Sequence, residues 1–376
     1  MDMGFTARIE ELKRQWPGNI ALQCFDGQEY AALPQAARQR LAKCLASGVE
    51  NPDSQMGCYA CQPSDYDALK PFFSRVLARY HKVPEHARHV NDWDLSHIDG
   101  LPAGGLLDLA ALGLPPLSMR VRAGRNLKDF PLPGAMDRTM RVQLEQRMMA
   151  AFEGLIADPA YGGRYHSLTP GNPCFIDERA YDELVAAHIM FKNMDQDRYL
   201  LAAGIAADWP HGRGCYVSAD RAFIIWVGEE DHLRIMCMQR GTVLNAVFDR
   251  LKSALERVGA LPGLQFAVSE DYGFVTSCPT NLGTGMRASV HMPLPNLTRD
   301  GTDAKARAIA GPLGLSVRGI GGEHTPIGAD GTVDISPSAR FCITEAEIIA
   351  ALYQGIARLK SEEDKAAANH PKSEEN

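Results

Sequence analysis

Residues 223–238 read FIIWVGEEDHLRIMCM. Phe223–Val227 is an apolar, β-prone run. Gly228-Glu-Glu-Asp231 is a turn, and His232–Met238 is a second apolar run. Two strands in such close succession predict an antiparallel sheet. The flanking sequence extends it. Ser118-Met-Arg-Val-Arg-Ala123 and Arg287–Met292 alternate like strands, and Leu264–Val268 and Phe274–Ser277 flank the hairpin turn Ser269-Glu-Asp-Tyr-Gly273. Helical stripes lie between them, at Met140, Leu144, Met148, Phe152 and Leu155, and at Val247, Phe248, Leu251, Leu255 and Val258. A last helix is predicted from Thr344, an N-cap with Glu345 and Glu347 in the first turn.

Upstream the pattern changes. Residues 1–90 read as helices only, with stripes at Phe5, Ile9, Leu12 and Trp16, then in Leu33–Cys44 and Tyr66–Tyr80. Residues 91–117 are rich in Gly, Pro and Leu and read as a linker draped over the surface. The expected class is α+β: a small all-helical N-terminal domain (1–90), the linker, and a larger domain (118–360) with an antiparallel sheet flanked by helices. A polar, disordered tail is expected over 361–376.

The chain has 376 residues, 45% hydrophobic and 23% charged, which suits a normal globular core. A net charge of −7 argues against nucleic-acid or anionic-membrane partners. The longest apolar run, near Gly104–Leu117, is interrupted by Asp108, glycines and prolines and is no membrane span. MDMGFTARIEELKRQW lacks the apolar stretch of a secretory leader. Nine scattered cysteines read as reduced thiols in a cytoplasm. Cys58-Tyr-Ala-Cys61 has no second ligand pair at zinc spacing and follows loop residues, so it reads as two loop cysteines.

The telling residues are arginines in apolar strand contexts: Arg120 and Arg122 on one strand face, Arg234, Arg287 with His291 on its face, and Arg318. Each has to find a partner, because an unpaired buried charge costs several kcal/mol. A carboxylate would serve any one of them. For five together in an acidic chain, a shared polyanion accounts for them better, and guanidinium forks match phosphate oxygens in pairs. No Walker loop, GxGxxG turn or protein-kinase element is present, so arginine side chains would hold a nucleotide. Two acidic segments accompany them, Glu229-Glu230-Asp231 and the glycine-flanked Glu323, whose loop reads as a mobile lid. Taken alone, Cys278 in SCPTNLGTGMRASV (277–290) reads as a buried thiol.

Cys278-Pro-Thr-Asn-Leu-Gly-Thr284, Glu229-Glu-Asp-His-Leu-Arg234, Ser118-Met-Arg-Val-Arg122 and Arg318-Gly-Ile-Gly-Gly-Glu-His-Thr325 resemble four blocks of the phosphagen (guanidino) kinases, in family order. The resemblance covers roughly residues 5–360. It implies Mg-ATP as phosphoryl donor and a guanidino compound as acceptor. It places Arg120, Arg122, Arg234, Arg287 and Arg318 on the phosphates, and Ser118, His188 and His291 near the nucleotide. Glu230, Glu323 and Cys278 fall around the guanidinium, and Ser54, Gln55, Met56 and Tyr59 in the substrate-specificity loop. Mg²⁺ would come with ATP, with Glu229 and Asp231 nearest its waters. Arg287 and Thr280 are expected to lower the Cys278 pKa toward a thiolate.

Glu323, the short loop and Tyr59 resemble arginine kinases. Gln55-Met56 stands where these usually have Gly-Val, Gly321 where an arginine is common, and Gly228 where asparagine is frequent. Taurocyamine is the second acceptor. Protein-arginine kinases share the cysteine, acidic and arginine blocks but lack the helical domain. A non-catalytic nucleotide sensor is a further alternative. The expected protein is a cytoplasmic monomer or homodimer acting on small molecules, ATP/ADP and a guanidine.

Overall fold

The computed structural model describes residues 2–320 and 326–369. Its main sheet contains β1 (Leu117–Arg125), β2 (Arg164–Ser167), β3 (Gly214–Val217), β4 (Phe223–Val227), β5 (Leu233–Gly241), β6 (Met286–Pro293), β7 (Leu315–Arg318) and β8 (Thr332–Pro337). Their order across the sheet is β2-β3-β4-β5-β1-β6-β8-β7, antiparallel throughout. The opening stretch is the β4–β5 hairpin, with Phe223 opposite Cys237. Gly228 turns it at φ +71°, and a Cβ there would sit 2.4 Å from the Gly212 carbonyl oxygen. Glycine therefore satisfies both the left-handed backbone and the close approach.

Period-2 alternation divides the sheet chemically. Met119, Val121, Ala123, Ile235, Cys237, Ala288 and Val290 point to one face and are buried. They join the apolar stripes of helices Arg138–Ile156, Leu244–Gly259 and Glu345–Ala368 in one core. Phe248 and Leu251 in it are 0% exposed, and each such side chain contributes about 2 kcal/mol. The opposite face carries the arginines.

A second core is built from helices Asp2–Gln15, Gln35–Cys44 and Lys70–His81. Leu132, Tyr272, Val275, Cys278, Leu282 and Phe341, all from beyond residue 118, complete it. The N-terminal helices therefore pack directly against the Cys278 segment. The Tyr66 hydroxyl donates to the Thr276 carbonyl at 3.0 Å and the Ala60 N–H to that of Ser277 at 2.7 Å.

Two expectations are corrected. The 91–117 segment is not merely draped over the surface. Leu107 and Leu109 are fully buried, the Leu109 N–H donates to the Thr242 carbonyl (2.8 Å), and the Leu107 N–H to Asn245 Oδ1 (2.7 Å). Its leucines gain more from the core than the glycines and prolines lose in order. The last helix has the expected Thr344 N-cap, which the structure closes as a capping box with Glu347, but it runs to Ala368, past the expected onset of disorder at 361. Tertiary contact extends it: Glu363, 6% exposed, accepts the N–H groups of Asn296 (2.8 Å) and Leu297 (2.9 Å). The rest of the expected tail, 370–376, lies outside the described residues. Among the described residues no helix is long and apolar enough to cross a membrane.

Candidate active site

Strand register assembles the arginine face. Arg122 of β1 lies opposite Arg287 of β6, Arg120 opposite Ser289, and Ser118 opposite His291. On β8, Asp334 is opposite both His291 and Arg318. Arg234 of β5 is opposite Gly124, two residues from Arg122 and on the same face.

Some of these cations are paired and some are not. Arg234 bridges Glu229 (2.9 Å) and Glu230 (3.2 Å), and Arg287 pairs with Asp334 (2.7 Å). Arg318 Nε donates to Ser316 Oγ (3.2 Å). Arg120 and Arg122 make no ion pair with any described residue. Burial, and then the neighbouring Arg234, Arg120 and Arg287, depress the Arg122 pKa well below its ordinary value. Burial chiefly pushes Arg287 down to about 9. A guanidinium does not shed its proton readily, so this depression expresses crowding that an anion would relieve.

The acidic turn is held rigidly opposite. Asp231, 2% exposed, accepts from Asn126 Nδ2 and from the Ser277 N–H, both at 2.7 Å. The His232 N–H donates to Asn126 Oδ1 (2.8 Å). Asp231, expected near the waters of a metal, thus ties the acidic turn to the Cys278 segment. Its Oδ2 lies where a Cβ on Gly124 would be 2.8 Å away. Glu229 accepts from Arg234 and from the Glu230 N–H (2.9 Å). Glu230 accepts from Arg234 and from Asn281 Nδ2 (3.3 Å). Burial raises its pKa to about 7, against the opposing pull of Arg234.

Cys278 is 5% exposed, with Sγ 3.1 Å from Thr280 Oγ1. The expected lowering of its pKa is reversed. Burial first, then the Glu230 carboxylate, raise it, and the Thr280 hydroxyl only partly offsets them. In this structure the group is a thiol.

A cavity of about 680 Å³ joins these groups. Arg122, Arg234, Arg287 and Arg318 line one part, Glu229, Glu230 and Cys278 another, and Ser54, Gln55, Met56 and Tyr59 a third. Ser118, Arg120, His188 and His291 are not in its wall. Ser118, Arg120 and His291 continue the same sheet face, and His188 is an exposed residue at φ +58° beyond helix Glu178–Ala186. Glu323 lies outside the described residues.

The sequence reading missed several lining residues: Asp53, Tyr80, Asp197, Tyr199, Asn281 and Arg340. Asp53 pairs with Arg198 and accepts from the Tyr199 hydroxyl at 2.9 Å. Asn51 Nδ2 and Ser47 Oγ donate to the carbonyls of Arg198 (3.1 Å) and Tyr199 (3.0 Å). This clasp joins the loop around residues 51–59 to the larger domain across nearly 150 residues of chain, a pairing without a local sequence signal. Inside the loop, the N–H groups of Gln55 and Met56 have no acceptor among the described residues, while their carbonyls accept from Ile20 (2.9 Å) and Ala21 (3.0 Å).

Cys61 finds a neighbour in Cys44 as well as in its CxxC. Cys44, Cys61 and Asp65 place candidate ligand atoms within 4.8 Å of one another. Asp65, however, is taken by Arg40 and by the N–H groups of Cys61 and Gln62 (both 2.7 Å), so it anchors the loop.

Known proteins share this architecture. The profile described as "ATP:guanido phosphotransferase, C-terminal catalytic domain" matches residues 143–366, and that of the N-terminal domain matches residues 29–78. The chain is 36% identical to an arginine kinase of Haliotis madaka over 329 residues, 87% of each protein. It is 32% identical to a taurocyamine kinase of Schistosoma mansoni over 88% of this chain and 42% of that one. The solved duplicated taurocyamine kinase of that organism, with transition-state analogue components bound, superposes with a TM-score of 0.78 at 30% identity. That match covers 97% of this chain and 48% of the other, so this chain spans about half of the duplicated protein. A lombricine kinase structure superposes at a TM-score of 0.79 and 28% identity, over 94% and 93% of the two chains. With both domain profiles matched in order and 36% identity to a curated relative over 87% of each protein, the chain belongs to the ATP:guanido phosphotransferases, the phosphagen kinase family of phosphotransferase enzymes.

Proposed function

We propose that the protein reversibly transfers the γ-phosphoryl group of Mg-ATP to a guanidino nitrogen of L-arginine. The observation that carries this reading is a single cavity with two walls: one of arginines, where buried Arg122 has no anionic partner among the described residues, and an acidic one holding Glu230 beside Cys278. The arginines bind phosphate oxygens and neutralise charge on the phosphoryl group in flight. A guanidinium is a poor nucleophile because its pKa is ~13. Glu230, with Glu323 as its partner, orients the guanidinium in line with the γ-phosphorus. The N–P bond forms as the bond from the γ-phosphorus to the β,γ-bridging oxygen breaks, and the guanidinium proton passes to a carboxylate. A carboxyl pKa of about 7 suits Glu230 to that task at neutral pH.

The donor set fits a metal carried by the nucleotide, since both oxygens of Glu229 are engaged and Asp231 is buried. Mg²⁺ prefers phosphate oxygens and water to an all-protein cage, and Glu229 is the residue to hold its water. Bound Mg²⁺ would screen the triphosphate. The free N–H groups of Gln55 and Met56 suit the acceptor's carboxylate.

An ADP-release assay across arginine, taurocyamine, glycocyamine, lombricine, creatine and an arginine-containing protein tests the reading. Arginine should give the highest kcat/KM. A preference for taurocyamine, or ATP binding without turnover, would replace this reading with another.

Cys278 tunes and orients; it forms no covalent bond. Cys278→Ser should lower kcat by about tenfold without abolishing it, the scale of one lost contact to a charged group. Isolation of a phosphocysteine intermediate by rapid quench and mass spectrometry would contradict that role.

A further inference from the structure

The cavity carries a second charge pattern apart from its arginines. It is lined by Asp53, Ser54, Gln55, Tyr59, Asp197 and Tyr199. Asp53 is neutralised there by Arg198. Asp197 is not neutralised: it is exposed, makes no ion pair with a described residue, and only its Oδ1 is in use. That oxygen caps the helix Arg198–Ala202 by accepting from the N–H groups of Tyr199 (2.9 Å) and Leu200 (3.0 Å). Its second oxygen is available to a ligand in the cavity. Tyr59, half-buried, lines the same cavity. Its pKa is raised by burial first, then by Cys278, Glu230 and Asp197, so the phenol lies near all three groups. A small acceptor whose guanidinium meets Glu230 and Cys278 therefore extends its far end past Tyr59 toward Asp197.

We infer that Asp197 receives an ammonium group at the distal end of the acceptor, and so selects guanidines built on an α-amino acid. This rests on the acceptor reading proposed above. The lining is complementary to a zwitterion: N–H groups at Gln55 and Met56 that have no acceptor among the described residues for a carboxylate, and a carboxylate at Asp197 for the ammonium. An acceptor ending in a sulfonate or carboxylate alone would leave Asp197 facing a like charge.

The test compares wild type with Asp197→Asn on L-arginine, on 5-guanidinopentanoate (arginine without its amine) and on taurocyamine. Asparagine caps a helix as well as aspartate does, so folding is preserved. The wild type should favour L-arginine over 5-guanidinopentanoate by about tenfold in kcat/KM, the scale of one hydrogen bond to a charged group. Asp197→Asn should raise KM for L-arginine about tenfold, with kcat within about twofold, and lower KM for 5-guanidinopentanoate and taurocyamine by relieving the like charge. Equal KM changes for L-arginine and 5-guanidinopentanoate, or no wild-type preference between them, would overturn the inference while leaving the kinase reading intact. Absence of turnover on every guanidine would overturn the acceptor reading, and the inference with it.

Discussion

Glu230→Gln is expected to lower kcat by about 10²- to 10⁴-fold while KM for the acceptor changes little, the range attributed to a positioned acid–base group. Glutamine keeps the shape, and its amide oxygen can still accept from Arg234 and Asn281. What disappears is the charge that holds a guanidinium and takes its proton. The pH profile gives a second readout. Burial raises Glu230 to about 7, so its carboxylate fraction falls as the pH drops below that value. kcat/KM, which reports groups of the free enzyme, should fall about tenfold per pH unit below 7 and level off above it. In Glu230→Gln that limb should vanish. A variant with unchanged kcat, or with the same acid limb, would remove Glu230 from the chemistry.

Arg122→Met is expected to lower kcat/KM by about 10³-fold, as when a donor aimed at the developing charge is lost. It should also stabilise the nucleotide-free protein. Arg122 has no anionic partner among the described residues and sits among Arg120, Arg234 and Arg287, which with burial depress its pKa. An apolar chain of similar length removes that repulsion and keeps the packing. The melting temperature without ligand should rise by about 1–2 °C, which is roughly 1 kcal/mol for a chain of this size. The upward shift that ATP gives the wild type should shrink, because the variant binds the nucleotide less tightly. Calorimetry with and without ATP measures both. A less stable variant with full activity would show that Arg122 is a packing residue and not a phosphate ligand.

The two variants differ because their sites store charge differently. Glu230 is surrounded by compensating donors, so its loss shows in chemistry. Arg122 has no anionic partner among the described residues, so its loss shows in both chemistry and stability. Arg287 lies between these cases. It has Asp334 as a partner, and removing it would leave a buried carboxylate uncompensated.

Much of this was legible in the chain. The β4–β5 hairpin, the alternation of β1 and the stripes of the long helices are local patterns, set by side-chain direction and apolar spacing. Alternation alone puts Arg120 and Arg122 on one face. The same logic failed at 361–368, where the residues are polar and charged and the helix persists because Glu363 caps a distant backbone segment. It failed again at Leu107 and Leu109, whose glycine- and proline-rich surroundings concealed a tertiary anchor.

By itself, then, the sequence determined the sheet and helices, the arginine-bearing face and the acidic turn, because each depends on neighbours a few residues away. Only the tertiary structure decided which arginines lack an anion among the described residues, that burial favours the thiol of Cys278, and that Asp53 and Asp197 line the cavity. Those properties depend on burial and on charges brought together from distant parts of the chain, and both exist only once the two cores have packed against each other.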